Sequence, residues 1–220
     1  MSALRRTVVA AGVALSFGAV VNADEVTYWN QVMMDAFRED FGTGCPCPLA
    51  RSSAMVHCAM FDAINSIDRT YTAYLGYLDV SEDASPEAAV ASAAYHTLAE
   101  LFPNMTGVLD ASYAERLALI PDSQAKDDGI AVGVAAASRM MLERADDGSQ
   151  KPGPYEFGMN PGDYIPTPPD FNPICNPEWV TVTPFCMPVG THYRSAGPAG
   201  FSNMADLVAS PEYAFQVNLV

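Results

Sequence analysis

The sequence predicts an all-α protein: an antiparallel bundle of about five helices, then a Pro- and aromatic-rich extended segment, then the start of a further helix. Apolar residues recur at helical spacing through the first 150 residues, with no convincing strand alternation. Helix start and stop signals punctuate that stretch at short intervals. Composition then changes abruptly, because 11 of the 17 prolines fall between Pro152 and Pro198. With 50% hydrophobic and 17% charged residues and a mean hydropathy of +0.07, the 220-residue chain is not a disordered tail. Its length allows one full domain, or one domain and part of another. The net charge of −15 disfavours nucleic acid, since the only adjacent basic residues are Arg5 and Arg6.

Residues 1–23 read as a leader. Arg5 and Arg6 precede an uncharged run from Thr7 to Val21, and Val21-Asn22-Ala23 supplies small residues before Asp24. The run is broken by Gly12, Ser16 and Gly18 and is short of the ~20 residues that span a bilayer. Export to a periplasmic or extracellular compartment is therefore expected. Cleavage after Ala23 removes two of the 11 basic residues and leaves nine against 26 carboxylates. No later stretch is long and apolar enough to span a membrane.

The bundle is expected over residues 24–150. From Val26 to Phe41, Trp29, Val32, Met33, Ala36, Phe37 and Phe41 make the apolar face of a first helix, with Gln31, Asp35, Arg38 and Glu39 between them. Gly42 to Pro48 interrupts it, and Pro46 and Pro48 suit the entry to a second helix reaching about Ile67. Small residues such as Ala50, Ser52, Ala59 and Ala63, mixed with Met55, Met60 and Ile64, predict that this second helix is the buried centre. A Tyr-rich connector, Tyr71 to Tyr77, leads to Ser85-Pro86-Glu87, a helix start with cap, first-turn Pro and early acid. This third helix is Ala-rich and should stop near Leu101-Phe102-Pro103. Thr106 is the expected cap of a fourth helix, stopped by Ile120-Pro121. Asp122 or Ser123 caps a fifth, with Ile130, Val134, Ala137, Met141 and Arg144 on one face and Asp146-Asp147-Gly148 ending it.

Residues 151–200 form the extended segment. Tyr155, Phe157, Tyr164, Phe171, Trp179 and Phe185 among its prolines favour an ordered wrap packed across the helices over a solvated linker. Within residues 201–220, Ser210-Pro211-Glu212 repeats the helix-start signal, about ten residues from the end.

The densest polar set in a helix is on the second one. At 100° per residue Arg51, Cys58, Asp62, Asn65 and Arg69 share one stripe. This stripe reads as a structural polar ladder (Arg51, Asp62, Asn65, Arg69) that fixes the helix against its neighbour, in preference to a catalytic carboxylate with supports. His57 falls off it; His57, His96 and the loop cluster His192-Tyr193-Arg194 read as ordinary core or surface groups. Export would place Cys45, Cys47, Cys58, Cys175 and Cys186 in an oxidising compartment. Cys175 and Cys186, in one Pro-rich loop, are the candidate disulfide; Cys58 has Cys45 or Cys47 as alternatives, and the odd number leaves one thiol over. Cys45, Cys47, His57 and Cys58 fit no standard zinc knuckle. No phosphate loop, G-x-S-x-G elbow or H-E-x-x-H occurs.

Several stretches in order resemble the N-terminal half of bacterial vanadium-dependent haloperoxidase-like proteins. They are Trp29-Asn30-Gln31, Pro48-Leu49-Ala50-Arg51, and Ala54-Met55-Val56-His57-Cys58-Ala59-Met60-Phe61-Asp62-Ala63-Ile64-Asn65-Ser66-Ile67. Tyr71 to Tyr74, Ala84 to Ala88, Leu101-Phe102-Pro103, Ile120-Pro121-Asp122, Arg144 to Gly148 and Val182-Thr183-Pro184-Phe185 follow. The resemblance implies an all-α protein of the superfamily that includes type 2 phosphatidic acid phosphatases. Complete members oxidise halide with peroxide at a vanadate held by Lys, Arg and one His. The motifs that hold it are a Lys followed at a distance by Arg-Pro, a Pro-Ser-Gly-His, and a Ser-Arg followed by His. None occurs here: the lysines are Lys126 and Lys151, and Ser138-Arg139 has Ala145 where the His would stand. Cys45, Cys47 and Cys58 also depart from the family pattern.

The expectation is thus the non-catalytic N-terminal half of an exported haloperoxidase-like protein, without catalytic, cofactor or metal residues of its own. Its expected partner is an absent C-terminal catalytic bundle of the same protein, which would bring the vanadate. Apolar surface meant for that bundle would drive self-association if left bare. The alternatives are a free-standing secreted helical binding module and half of a related acid phosphatase.

Overall fold

The computed structural model describes residues 21–39, 46–151, 158–160 and 163–219. Most of the expected leader, the break at 40–45 with Cys45, and Tyr155 and Phe157 lie outside the described residues. Among the described residues the regular structure is helical, with no strand. The all-α class is correct.

Five helices make the body: α1 Val21–Glu39, α2 Pro46–Asp68, α3 Pro86–Leu101, α4 Thr106–Ala118 and α5 Gln124–Glu143. In α1, Trp29, Met33, Ala36 and Phe37 are buried at the spacing the sequence predicts. The helix begins earlier than Val26, at Val21. Helix α2 ends where Arg69 takes a left-handed φ of 54° and its N–H returns to the Asn65 carbonyl at 3.1 Å. Ser85 caps α3 by accepting from the Ala88 N–H at 3.2 Å, and Ser123 caps α5 through the Lys126 N–H at 3.2 Å. Thr106 is not a cap. It is the first residue of α4, and its hydroxyl donates back to the Pro103 carbonyl of a 3₁₀ turn, Pro103–Met105.

The centre of the bundle is α3, not α2. Helix α3 packs on α1, α2, α4 and α5, and Ala88 to Ala94 are all buried, whereas Phe61 on α2 is 39% exposed. Alanine makes this physically sensible, because a helix with methyl side chains lets four neighbours close in. The approach is tightest to α5. A Cβ on Gly133 would stand 2.4 Å from the Ser92 Cβ, and one on Gly129 would stand 2.4 Å from the Ser85 carbonyl oxygen. Consequently α5 buries Gly129, Val132, Gly133, Ala136, Ala137 and Met140; of the expected face Ala137 and Arg144 are buried, whereas Ile130, Val134 and Met141 are only partly so. The Ser92 hydroxyl donates to the Ile130 carbonyl across the same seam at 3.0 Å.

The Pro/aromatic segment contributes a 3₁₀ turn at Pro177–Thr181 and then a short stretch that touches the core through Phe185. Tyr193, Met159, Phe171 and Val189 remain exposed. Helices α6 Met204–Val208 and α7 Pro211–Val217 follow and pack chiefly on one another. Ser210 caps α7, accepting from the Tyr213 N–H at 3.1 Å.

Candidate functional site

The lower half of the α2 stripe holds the connector. Asp62, 4% exposed, takes the Tyr74 N–H on one oxygen at 2.5 Å and the Leu75 N–H on the other at 2.9 Å. Asn65 accepts from the Tyr71 N–H at 2.8 Å and donates to the Phe61 carbonyl at 2.9 Å. Ser66 accepts from the Leu78 N–H at 2.9 Å while donating to the Asp62 carbonyl at 2.7 Å. A connector without secondary structure has backbone donors to satisfy, and these three side chains satisfy four of them. The contacts run to the connector rather than to a neighbouring helix. Arg69 leaves the row and sits over the Tyr77 ring, 5.4 Å from its centroid.

The upper end is an ionic node that reaches far along the chain. Arg51 Nε donates to Asp147 Oδ2 at 2.7 Å, and its Nη2 donates to the Arg144 carbonyl at 2.7 Å. Arg144 lies against the same oxygen of Asp147 at 3.0 Å, and both of their side chains are 2% exposed. Arg144 also donates to the Thr183 carbonyl at 2.5 Å and stacks on the Phe185 ring, 3.9 Å from its centroid. The Thr183 N–H returns to the Asp147 carbonyl at 2.7 Å. Burial pushes the Asp147 carboxyl up, but the hydrogen bonds from Arg51 and Ser149 outweigh it and hold it below the usual carboxylate range. Sequence reasoning found Arg51 but not its partner. Arg144 and Asp147 do sit at i, i+3 at a helix end.

The cysteines pair differently from the expectation. Cys175 is disulfide-bonded, but Cys186 is a free, exposed thiol, so the Cys175–Cys186 ring does not form. Phe185 is drawn into the core beside Cys186, which orients that end of the segment toward α2 instead of back on itself. Cys47 and Cys58 are also free, and both lie on α2. Eleven residues of helix separate them by roughly 16 Å, far beyond disulfide reach, which excludes that pair as well.

His57 meets Asn30 rather than a metal-binding cysteine pair, with its Nε2 3.2 Å from Asn30 Oδ1, and burial pushes its pKa down. His96 packs edge-on against Tyr95 and Tyr113. Burial lowers its pKa too, against the opposing charge of Glu100. His192 packs edge-on against Tyr193 in an exposed loop. A second buried ion pair was not legible in the sequence. Glu25, 2% exposed, accepts from Trp29 Nε1 at 2.9 Å and from Arg116 at 2.5 Å, and Arg116 lies over the Tyr28 ring. Only the i, i+4 spacing of Glu25 and Trp29 is a local signal; nothing marks Arg116.

A cavity of about 350 Å³ adjoins the node, between Ala50 and Ala54 of α2 and Trp179, Val182, Phe185 and Met187 of the segment, with Arg51 at its wall. Its volume is in the range of small-molecule sites, and its lining is chiefly apolar.

Arg38, Arg51, Arg116, Lys126, Arg144 and Lys151 pair with carboxylates, and Arg139 donates to the Gly76 and Leu75 carbonyls. Arg51 and Arg144 do converge, but on Asp147, which neutralises half of their charge. Searches for similar family models, curated proteins and solved structures find no match to this chain.

Proposed function

We propose that this chain is the non-catalytic helical half of an exported haloperoxidase-like protein, a scaffold whose catalytic bundle is supplied elsewhere in the same protein. One observation carries the reading. Three stretches that bear the sequence resemblance, Pro48 to Arg51, Arg144 to Gly148 and Val182 to Phe185, meet at the Arg51–Asp147–Arg144 node. Residues scattered over 138 positions that converge on one buried contact behave as a structural unit. Asp62, Asn65 and Ser66 of α2 are committed in the same way, to the connector. Vanadate chemistry is therefore assigned to the second bundle and not to residues of this chain.

The second reading, a free-standing binding module, is favoured by the apolar cavity under the segment. Two measurements separate these readings. Reading the gene beyond codon 220 should reveal an in-frame Pro-Ser-Gly-His; a stop codon at that point removes the scaffold reading. Residues 24–220, assayed with vanadate, peroxide and bromide, should show no halide oxidation. Vanadate-dependent turnover would mean that this chain holds the oxyanion itself.

A further inference from the structure

The ionic node beside the cavity carries more positive charge and more donors than its partners use. Arg51 and Arg144 share one carboxylate, Asp147, so one positive charge is left over. Arg51 spends Nε on Asp147 and Nη2 on the Arg144 carbonyl, while its Nη1 makes no hydrogen bond among the described residues. Arg144 Nε is buried and likewise without a hydrogen-bond partner among the described residues. A guanidinium holds all its N–H donors in one plane, and leaving one desolvated and unmatched is costly. An anion is the partner such a surplus accepts, and on a chain of net charge −15 the surplus is a local exception.

The cavity fixes what else the ligand must be. Arg51 stands in its wall, and so do Thr183 and Phe185, which Arg144 binds and stacks on. Ala54, Trp179, Val182 and Met187 make much of the remaining wall, which among the described residues includes no carboxylate. An apolar cavity of ~150 Å³ accommodates benzene, so one of about 350 Å³ takes an aromatic ring with a short side arm. Inorganic phosphate would meet the cations but leave the apolar wall wet, and a hydrocarbon would cover the wall but leave the donors unmatched. We propose that this cavity binds a small arylalkyl monocarboxylate, its carboxylate on Arg51 Nη1 and its apolar body against Trp179, Val182 and Met187. The site goes beyond the scaffold reading and does not rest on it. It is built from residues of this chain alone, so neither the vanadate assay nor the sequence beyond codon 220 decides it.

The test titrates the full chain with 3-phenylpropanoate, read by calorimetry and by the emission of Trp179, which lines the cavity while Trp29 is buried in the bundle. Saturable one-to-one binding is expected with a Kd of about 1 mM or below. The neutral isostere 3-phenylpropanamide should bind at least about tenfold more weakly, because it forgoes the charge-assisted hydrogen bonds. Inorganic phosphate in about tenfold excess should not displace the acid, since it covers no apolar surface. Ala54→Leu enlarges a side chain of the wall that makes none of the node's bonds, and should cut affinity about tenfold while the melting temperature stays within a few degrees. Arg51→Lys keeps the charge but gives up Nη1, and should weaken the acid by about the same factor. Absence of saturation up to about 10 mM, equal affinity for acid and amide, displacement by phosphate, or native affinity in Ala54→Leu or Arg51→Lys would each overturn the proposal.

Discussion

At Asp147 one carboxylate stands between two guanidiniums that are nearly sealed from water. Removing its charge while keeping its shape strands both. Asp147→Asn should therefore cost about 3–5 kcal/mol, read by denaturant unfolding, whereas a loss near zero would mean that Arg51 and Arg144 find water. The pH dependence has a definite sign. A carboxyl whose folded pKa is depressed contributes its full stability above its unfolded value, about 3.9, and loses it as pH falls through the lower folded value. The native chain should thus lose stability below about pH 4, and Asp147→Asn should flatten that acid limb. An equally steep limb in the variant would place the titration on other carboxylates. The same residue shows a limit of sequence reading: Arg51 is visible on its helical stripe and Asp147 on its i, i+3 spacing from Arg144, but nothing local joins the two across 96 positions.

Among the elements, the α3–α5 seam and α7 are at opposite extremes. At Gly133 a methyl group would meet the Ser92 Cβ at 2.4 Å, the Ala89 carbonyl oxygen at 2.5 Å and the Ala93 nitrogen at 2.7 Å. Two of these are backbone atoms and cannot turn aside. Gly133→Ala should destabilise by about 1–3 kcal/mol despite its better helix propensity, measured as a fall in the denaturant midpoint with unchanged slope. A gain in stability would show that the helices separate without cost. Helix α7 has seven residues, with Phe215 62% and Val217 55% exposed. A helix that short gains little from its own hydrogen bonds. Its amides should exchange within seconds to minutes under conditions where those of α3 are protected for hours; equal protection would require a packing partner. The start of α7 was legible from Ser210-Pro211-Glu212, because capping is local chemistry. The central position of α3 was not, since alanine carries almost no moment and its burial depends on which neighbours arrive.

For the molecule as a whole, charge dominates solution behaviour. The chain carries −15, and most of its described cations are spent on internal pairs, which leaves unpaired carboxylates to repel one another across the surface. Raising sodium chloride from about 10 mM to 0.5 M shortens the screening length from about 30 Å to a few Å and should raise the melting temperature by a few degrees. A falling melting temperature would mean that attraction within the ion pairs outweighs surface repulsion.

The order of the helices, the caps at Ser85, Ser123 and Ser210, and the absence of membrane-length apolar helices among the described residues follow from information confined to a few neighbouring residues: capping side chains, prolines and apolar periodicity. The joining of Asp62 to the connector, Arg144 to Thr183, Glu25 to Arg116 and Phe185 to Tyr74 was decided in three dimensions. So was the failure of Cys175 to reach Cys186 despite their proximity in sequence. A buried polar or thiol group takes whichever partner the packed helices bring to it. That identity is set by close approach between distant segments, such as the glycine-lined seam of α3 and α5, and periodicity within one segment carries no record of it.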